Sequence, residues 1–155
     1  MPARKPLKLE TFLPYRLSLL SNTISSSIAA VYQDKFGISM PEWRIMMILA
    51  EYPRLSADEV CRKTRIEKSV VSRAVVRLIE RHLLMRGIDT DDRRRSILEL
   101  STTGRSVYAE VMPIAANFER DLLARLSVTE RRSLDQLLGR LQQAAEVLVS
   151  GPAVN

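Results

Sequence analysis

The residues whose types and spacing could do chemistry lie between Lys68 and Arg95. Lys68, Ser69, Ser72, Arg73 and Arg77 recur at helical intervals, so a helix would carry them along one side. Arginine reads the acceptor edge of guanine with paired hydrogen bonds, serine reaches base or phosphate, and the DNA major groove admits one helix. Ser69 and Ser72 fall near the segment's start, where free backbone N–H groups also favour phosphate. A second set follows in Asp89-Thr90-Asp91-Asp92-Arg93-Arg94-Arg95. A solvated, self-neutralised loop accounts for the aspartates alone. Arg93, Arg94 and Arg95 fit a phosphate or minor-groove contact better, because a narrow minor groove attracts arginine. The aspartates would then hold the arginines in place.

The charge distribution agrees. The chain has 155 residues and a net charge of +6. Residues 62–95 hold eleven basic and five acidic side chains, and the remainder is balanced at thirteen of each. A neutral chain with one basic block is the pattern of a polyanion-binding protein; a solvated basic surface is the bland alternative. Other chemistries are poorly supplied. One cysteine, Cys61, and one histidine, His82, allow neither a disulfide within the chain nor a cysteine or paired-histidine metal site. There is no Gly-x-Ser-x-Gly elbow, no phosphate-binding glycine loop and no acid–base cluster around the histidine. The expectation is no catalytic residue, no metal and no cofactor. The first nine residues lack an apolar signal region, and the longest strongly apolar run, Ile45 to Ala50, is far short of the roughly 20 residues of a membrane span. A cytoplasmic protein without a membrane partner is expected.

Positioning this set requires a helix, a tight turn, a second helix and a hairpin. Ser56-Ala57-Asp58-Glu59 has the form of a capping box and opens a short helix to about Thr64. A turn at Arg65-Ile66 leads into a helix over about 67–81, whose apolar face is Val71, Ala74, Val75 and Leu78. Strand-like segments at 84–88 and 96–100 enclose the charged stretch, as a hairpin would. The order is that of a winged helix–turn–helix. Long amphipathic helices flank it. The first covers about 11–35, with Pro14 in its first turn and Gly37 at its end. A helix from Pro41 stops at Pro53. A fifth covers about 103–126, bent by Pro113, and a last one carries Leu134, Leu137, Leu138, Leu141 and Leu148 before Gly151-Pro152. The fold class is mainly α with a small β-hairpin wing. The long stripes exceed what one small block can cover, so a dimer is inferred, with a monomeric helical bundle as the alternative.

The stretch Ile66 to Arg81, followed by Leu83-Leu84, Asp89-Thr90-Asp91-Asp92-Arg93-Arg94 and Leu100-Ser101-Thr102-Thr103-Gly104, closely resembles the MarR (multiple antibiotic resistance regulator) family. The Ser-x-x-Ser-Arg segment and the Asp-x-x-Asp-Arg-Arg tip together carry the resemblance. It implies a single domain over 1–155, with dimerisation helices at 11–35 and 103–149 around a DNA-binding block at 41–100. It implies a homodimeric regulator, a repressor in most members, on a pseudo-palindromic double-stranded operator. Ser69, Ser72, Arg73 and Arg77 would lie in the major groove, and Arg94, oriented by Asp92, in the minor groove. Family members usually have glycine where this chain has His82, which is therefore expected to be a helix cap in a left-handed conformation. The reactive cysteine of peroxide-sensing members is missing at Tyr15-Arg16, and Cys61 is expected to pack as a small buried residue.

The segments Phe12 to Ser18 and Pro41 to Arg44 further resemble regulators found near genes of aromatic-acid metabolism. Arg16 and Arg44 would converge on a carboxylate, with Trp43, Met47, Met112 and Phe118 walling a ring. Core packing of Trp43 and a surface ion pair at Arg44 are the competing assignments. The effector would be a small aromatic carboxylate or its coenzyme A thioester. An architectural DNA-binding protein without an effector is the alternative function.

Overall fold

The computed structural model describes residues 8–150. The basic stretch ahead of Lys8 and the expected stop at Gly151-Pro152 lie outside them. The chain divides into two units, Met1–Ala115 and Ala116–Asn155.

In the first unit, a single 3-10 turn at Leu9–Thr11 precedes α1, Leu13–Phe36. Phe12 is extended and Pro14 stands in the first turn, where its missing N–H costs nothing. Gly37 ends α1 at φ +60 and donates its N–H to Gln33 at 2.8 Å. The second half of α1 buries Ala29 and Tyr32. In the first half Leu13, Leu17, Leu19 and Leu20 are exposed.

Helix α2 spans Met40–Glu51. It opens with a capping box that the sequence reading did not identify: Ser39 donates its N–H to the Glu42 carboxylate at 2.7 Å. Trp43, Ile45, Met46 and Leu49 enter the core. The indole of Trp43 lies between Tyr32 of α1, with centroids 5.2 Å apart, and Tyr108, at 5.6 Å. Trp43 is 4% exposed and is part of the core.

Helices α3, Ala57–Thr64, and α4, Lys68–Glu80, form the helix–turn–helix. The Ser56–Glu59 capping box is present as expected, and Arg65 makes the turn at φ +56. His82 takes φ +56 after α4. The N–H of His82 reaches the Ile79 carbonyl at 2.9 Å and that of Leu83 reaches Leu78 at 2.8 Å. This closes the helix end in the two-bond pattern usually built on glycine. Strands β1, Leu84–Ile88, and β2, Ser96–Leu100, pair antiparallel with Leu84 opposite Leu100. Leu55 adds a one-residue bridge to Leu98, its carbonyl accepting the Leu98 N–H at 2.7 Å. One residue between Pro53 and Ser56 leaves no strand pattern to read.

Helix α5 spans Thr102–Leu123 and continues through Pro113. It buries Gly104 in its first turn and Val107 and Val111 further along. In the second unit, α6 spans Val128–Ser150 and buries no residue. Its Leu134, Leu137, Leu138, Leu141 and Leu148 are exposed. No helix among the described residues is long and apolar enough to cross a membrane.

Candidate nucleic-acid interface

Helix α4 divides its residues by face. Val71, Ala74, Val75 and Leu78 are buried in the core. Ser69, Ser72, Arg73 and Val76 are exposed on the opposite side. Among the described residues no side chain or backbone group binds the Arg73 guanidinium. The Ser69 hydroxyl donates to Glu67, just ahead of the helix. Lys68 pairs with Asp58 at 3.1 Å, but both are largely solvated, so the pair holds little energy.

Arg77 is engaged within the protein. Its Nε lies 2.8 Å from Glu42 Oε1, and that carboxylate is buried. Burial pushes the Glu42 pKa up, but hydrogen bonds from Arg77 and Ser39 outweigh it, and the group stays ionised below its ordinary range. Arg77 therefore fastens α4 to the start of α2. A buried carboxylate left without its partner is costly, so Arg77→Ala is expected to lower unfolding stability by about 1–3 kcal/mol. Chemical denaturation measures it; an unchanged midpoint would show that Arg77 is free for DNA.

The hairpin tip is ordered by its aspartates. Asp92 Oδ1 accepts the backbone N–H of Arg94 at 3.0 Å, shaping the turn rather than gripping the Arg94 side chain. Asp89 donates its N–H to the Arg95 carbonyl at 2.9 Å and so closes the loop. The Arg95 side chain turns back to Glu59 of α3, with Asp89 also within 3.9 Å. Arg95 thus ties the wing to the helix–turn–helix. The Arg93 and Arg94 side chains are exposed and have no hydrogen-bond or ionic partner among the described residues.

Glu59 joins these parts. The Ser56 N–H and the Arg95 guanidinium lower its pKa from the ordinary 4.5 to about 2. A carboxyl depressed on folding stabilises the fold above its unfolded pKa, and that contribution disappears as pH falls towards the folded value. Replacing Glu59 with glutamine is therefore expected to flatten the acid limb of stability between about pH 5 and pH 2. Thermal melts at stepped pH check this. Parallel curves for both proteins would show that Glu59 carries no linkage.

Of the residues assigned to an effector, Arg16 stands on α1, Trp43, Arg44 and Met47 on α2, and Met112 and Phe118 on α5. Arg16 lines an open groove of about 730 Å³ on α1 with Leu13, Tyr15, Leu17 and Leu20, and Trp43, Arg44, Met47 and Met112 are not among its lining residues. Arg44 and Met47 are exposed on α2, and Met112 packs on the core. Phe118 belongs to the second unit and is half-buried. Cys61 is also half-buried against the core, not fully enclosed. Among the described residues no group of three or more His, Cys, Asp or Glu could hold a metal ion.

Sequence reasoning missed Val76 and Glu42 as parts of this surface or its supports, and the pairing of Glu59 with Arg95. Val76 could have been found from its place three residues after Arg73 and four after Ser72.

Residues 36–95 match the family model described as "MarR family". The transcriptional regulator HosA of Escherichia coli is 25% identical over 104 residues, covering 67% of this chain and 77% of that protein. A MarR/EmrR family transcriptional regulator from Acinetobacter sp. ADP1 superposes with a TM-score of 0.82 at 25% identity, covering 90% of this chain and 99% of the other. BpsR of Bordetella bronchiseptica, whose DNA binding is regulated by 6-hydroxynicotinic acid, superposes with a TM-score of 0.76 at 21% identity, covering 89% and 98%.

Proposed function

We propose that the chain is a MarR family transcriptional regulator, as the family match over residues 36–95 and the similar regulators support, and that it represses transcription as a cytoplasmic homodimer. Each copy inserts α4 into the major groove of one half of a pseudo-palindromic duplex. The observation that carries this is the exposed stripe of Ser69, Ser72 and Arg73 on a helix whose other face is core. Arg73 supplies the fork geometry that guanine requires. The wing supports a second contact, with Arg94 reaching into the adjacent minor groove and Arg93 meeting phosphate. The whole chain is one regulatory domain, with α1, α5 and α6 as its dimerisation helices. Leucines left uncovered along α1 and α6 support a second copy as their partner.

Removing Arg94 is expected to reduce the salt dependence of binding as well as its strength. Each lost phosphate-lined contact lowers the slope of log affinity against log salt by roughly one, so Arg94→Ala should lower it by about two per dimer. A salt titration gives the slope directly. A slope equal to wild type would place Arg94 off the DNA.

We also propose an effector, a small aromatic carboxylate, free or as its coenzyme A thioester. Arg16 on α1 offers a partner for its carboxylate. The aromatic carboxylate regulating BpsR supports this class. The test is transcription in vitro from the protein's own promoter, then addition of 6-hydroxynicotinic acid, other aromatic acids and aryl thioesters. Repression relieved by one of them supports the proposal. Unrepressed transcription would overturn the repressor assignment, and repression that none relieves would overturn the effector class.

A further inference from the structure

Helix α4 carries one large apolar side chain that the core does not take. Val76 is 47% exposed, whereas Val71, Val75 and Leu78 are at most 1% exposed. At about 100° per residue, Val76 falls at the angular centre of the stripe formed by Ser69, Ser72 and Arg73. Ser69 to Val76 covers roughly 10 Å of helix, or about three base-pair steps of roughly 3.4 Å. Glu80, one turn further along the same line and also exposed, would repel phosphate and so bounds the contact.

From this placement we infer that Val76 is a specificity residue that recognises the 5-methyl group of a thymine in each half-site. The inference rests on α4 being the groove helix. The thymine methyl is the apolar feature of the major-groove edge, and apolar side chains read it by contact. Val76 offers two methyl groups on a side chain that is stiff at χ1, so little freedom is lost on docking. Arg73, one turn before it on the same stripe, supplies the polar half of the readout. The half-site is thus expected to hold a guanine and a thymine within about three base pairs, the span of the stripe.

The test begins with selection of duplexes from a randomised pool by the full-length protein. Each thymine of the selected half-site is then replaced by deoxyuridine, which removes only the methyl group. For wild type, one position per half-site is expected to weaken binding roughly fourfold for each methyl, or about fifteenfold for both. Val76→Ala is expected to bind thymine and deoxyuridine duplexes within twofold of one another while keeping the guanine preference. Wild-type indifference at every thymine, a half-site without thymine, or an undiminished methyl effect in Val76→Ala would each overturn the inference. The wild-type arm decides even if the variant folds poorly. A pool that yields no preferred sequence would instead overturn the reading of α4 itself, and the inference with it.

Discussion

Arg73→Ala is expected to abolish most of the protein's discrimination between DNA sequences while sparing its general attraction to DNA. Arg73 stands on the exposed face of α4 with no partner among the described residues, so the free protein need break nothing to use it. A bidentate arginine–guanine contact is worth about 1–3 kcal/mol of discrimination, and a two-fold dimer makes it twice, for about 2–6 kcal/mol in all. Arg73→Lys should lose nearly as much specificity, because the ammonium keeps the charge but not the fork. Competition binding across single-base variants of the operator measures this. The loss should concentrate at one base pair in each half-site. A uniform loss across all sequences would make Arg73 a phosphate contact instead.

Gly104→Ala is expected to destabilise the fold by about 3 kcal/mol, because the added methyl has no space. A Cβ at Gly104 would lie 2.1 Å from the Leu83 carbonyl oxygen and 3.0 Å from its carbon. These are backbone atoms, and they are held. Leu83 accepts the Ser101 N–H at 3.1 Å, and the Ser101 hydroxyl donates to His82 at 2.6 Å while accepting the Gly104 N–H at 2.9 Å. The first turn of α5 is thus locked against the turn that leaves α4. Relieving the clash must shift one of them, and with it the wing that starts at Leu84. Denaturant melts of purified Gly104→Ala should show the loss, with DNA affinity falling in parallel. A variant as stable as wild type would mean that α5 can slide here.

The elements were legible because each carries local punctuation. Ser56 and Glu59, Gly37, and the charged turn between the strand-like segments 84–88 and 96–100 act within a few residues. The His82 cap was legible through the family resemblance, which puts glycine at that position. The functional side chains were legible as a set but not in their individual duties. Arg77 and Arg73 look alike in sequence. Only the packing of α2 against α4 shows that one faces a buried carboxylate and the other faces solvent. Arg95 looks like Arg93 and Arg94 until Glu59, 36 positions earlier, is brought beside it. Trp43 stood between core and cleft for a similar reason, since its partners Tyr32 and Tyr108 come from two other helices. Pairing across elements is what local pattern does not encode, whereas the Ser39–Glu42 box and Val76 are local features that the sequence reading passed over.

The central claim is that α4 reads base sequence. Fluorescence anisotropy tests it most directly, comparing the duplex the protein selects from a random pool with a scrambled duplex of equal length and composition. At about 0.15 M salt, where electrostatic attraction is screened beyond roughly 8 Å, the selected duplex should bind about a thousandfold more tightly or better. Weak, equally salt-sensitive binding to both, within a few-fold, would contradict the claim and leave a protein that holds DNA by its backbone alone.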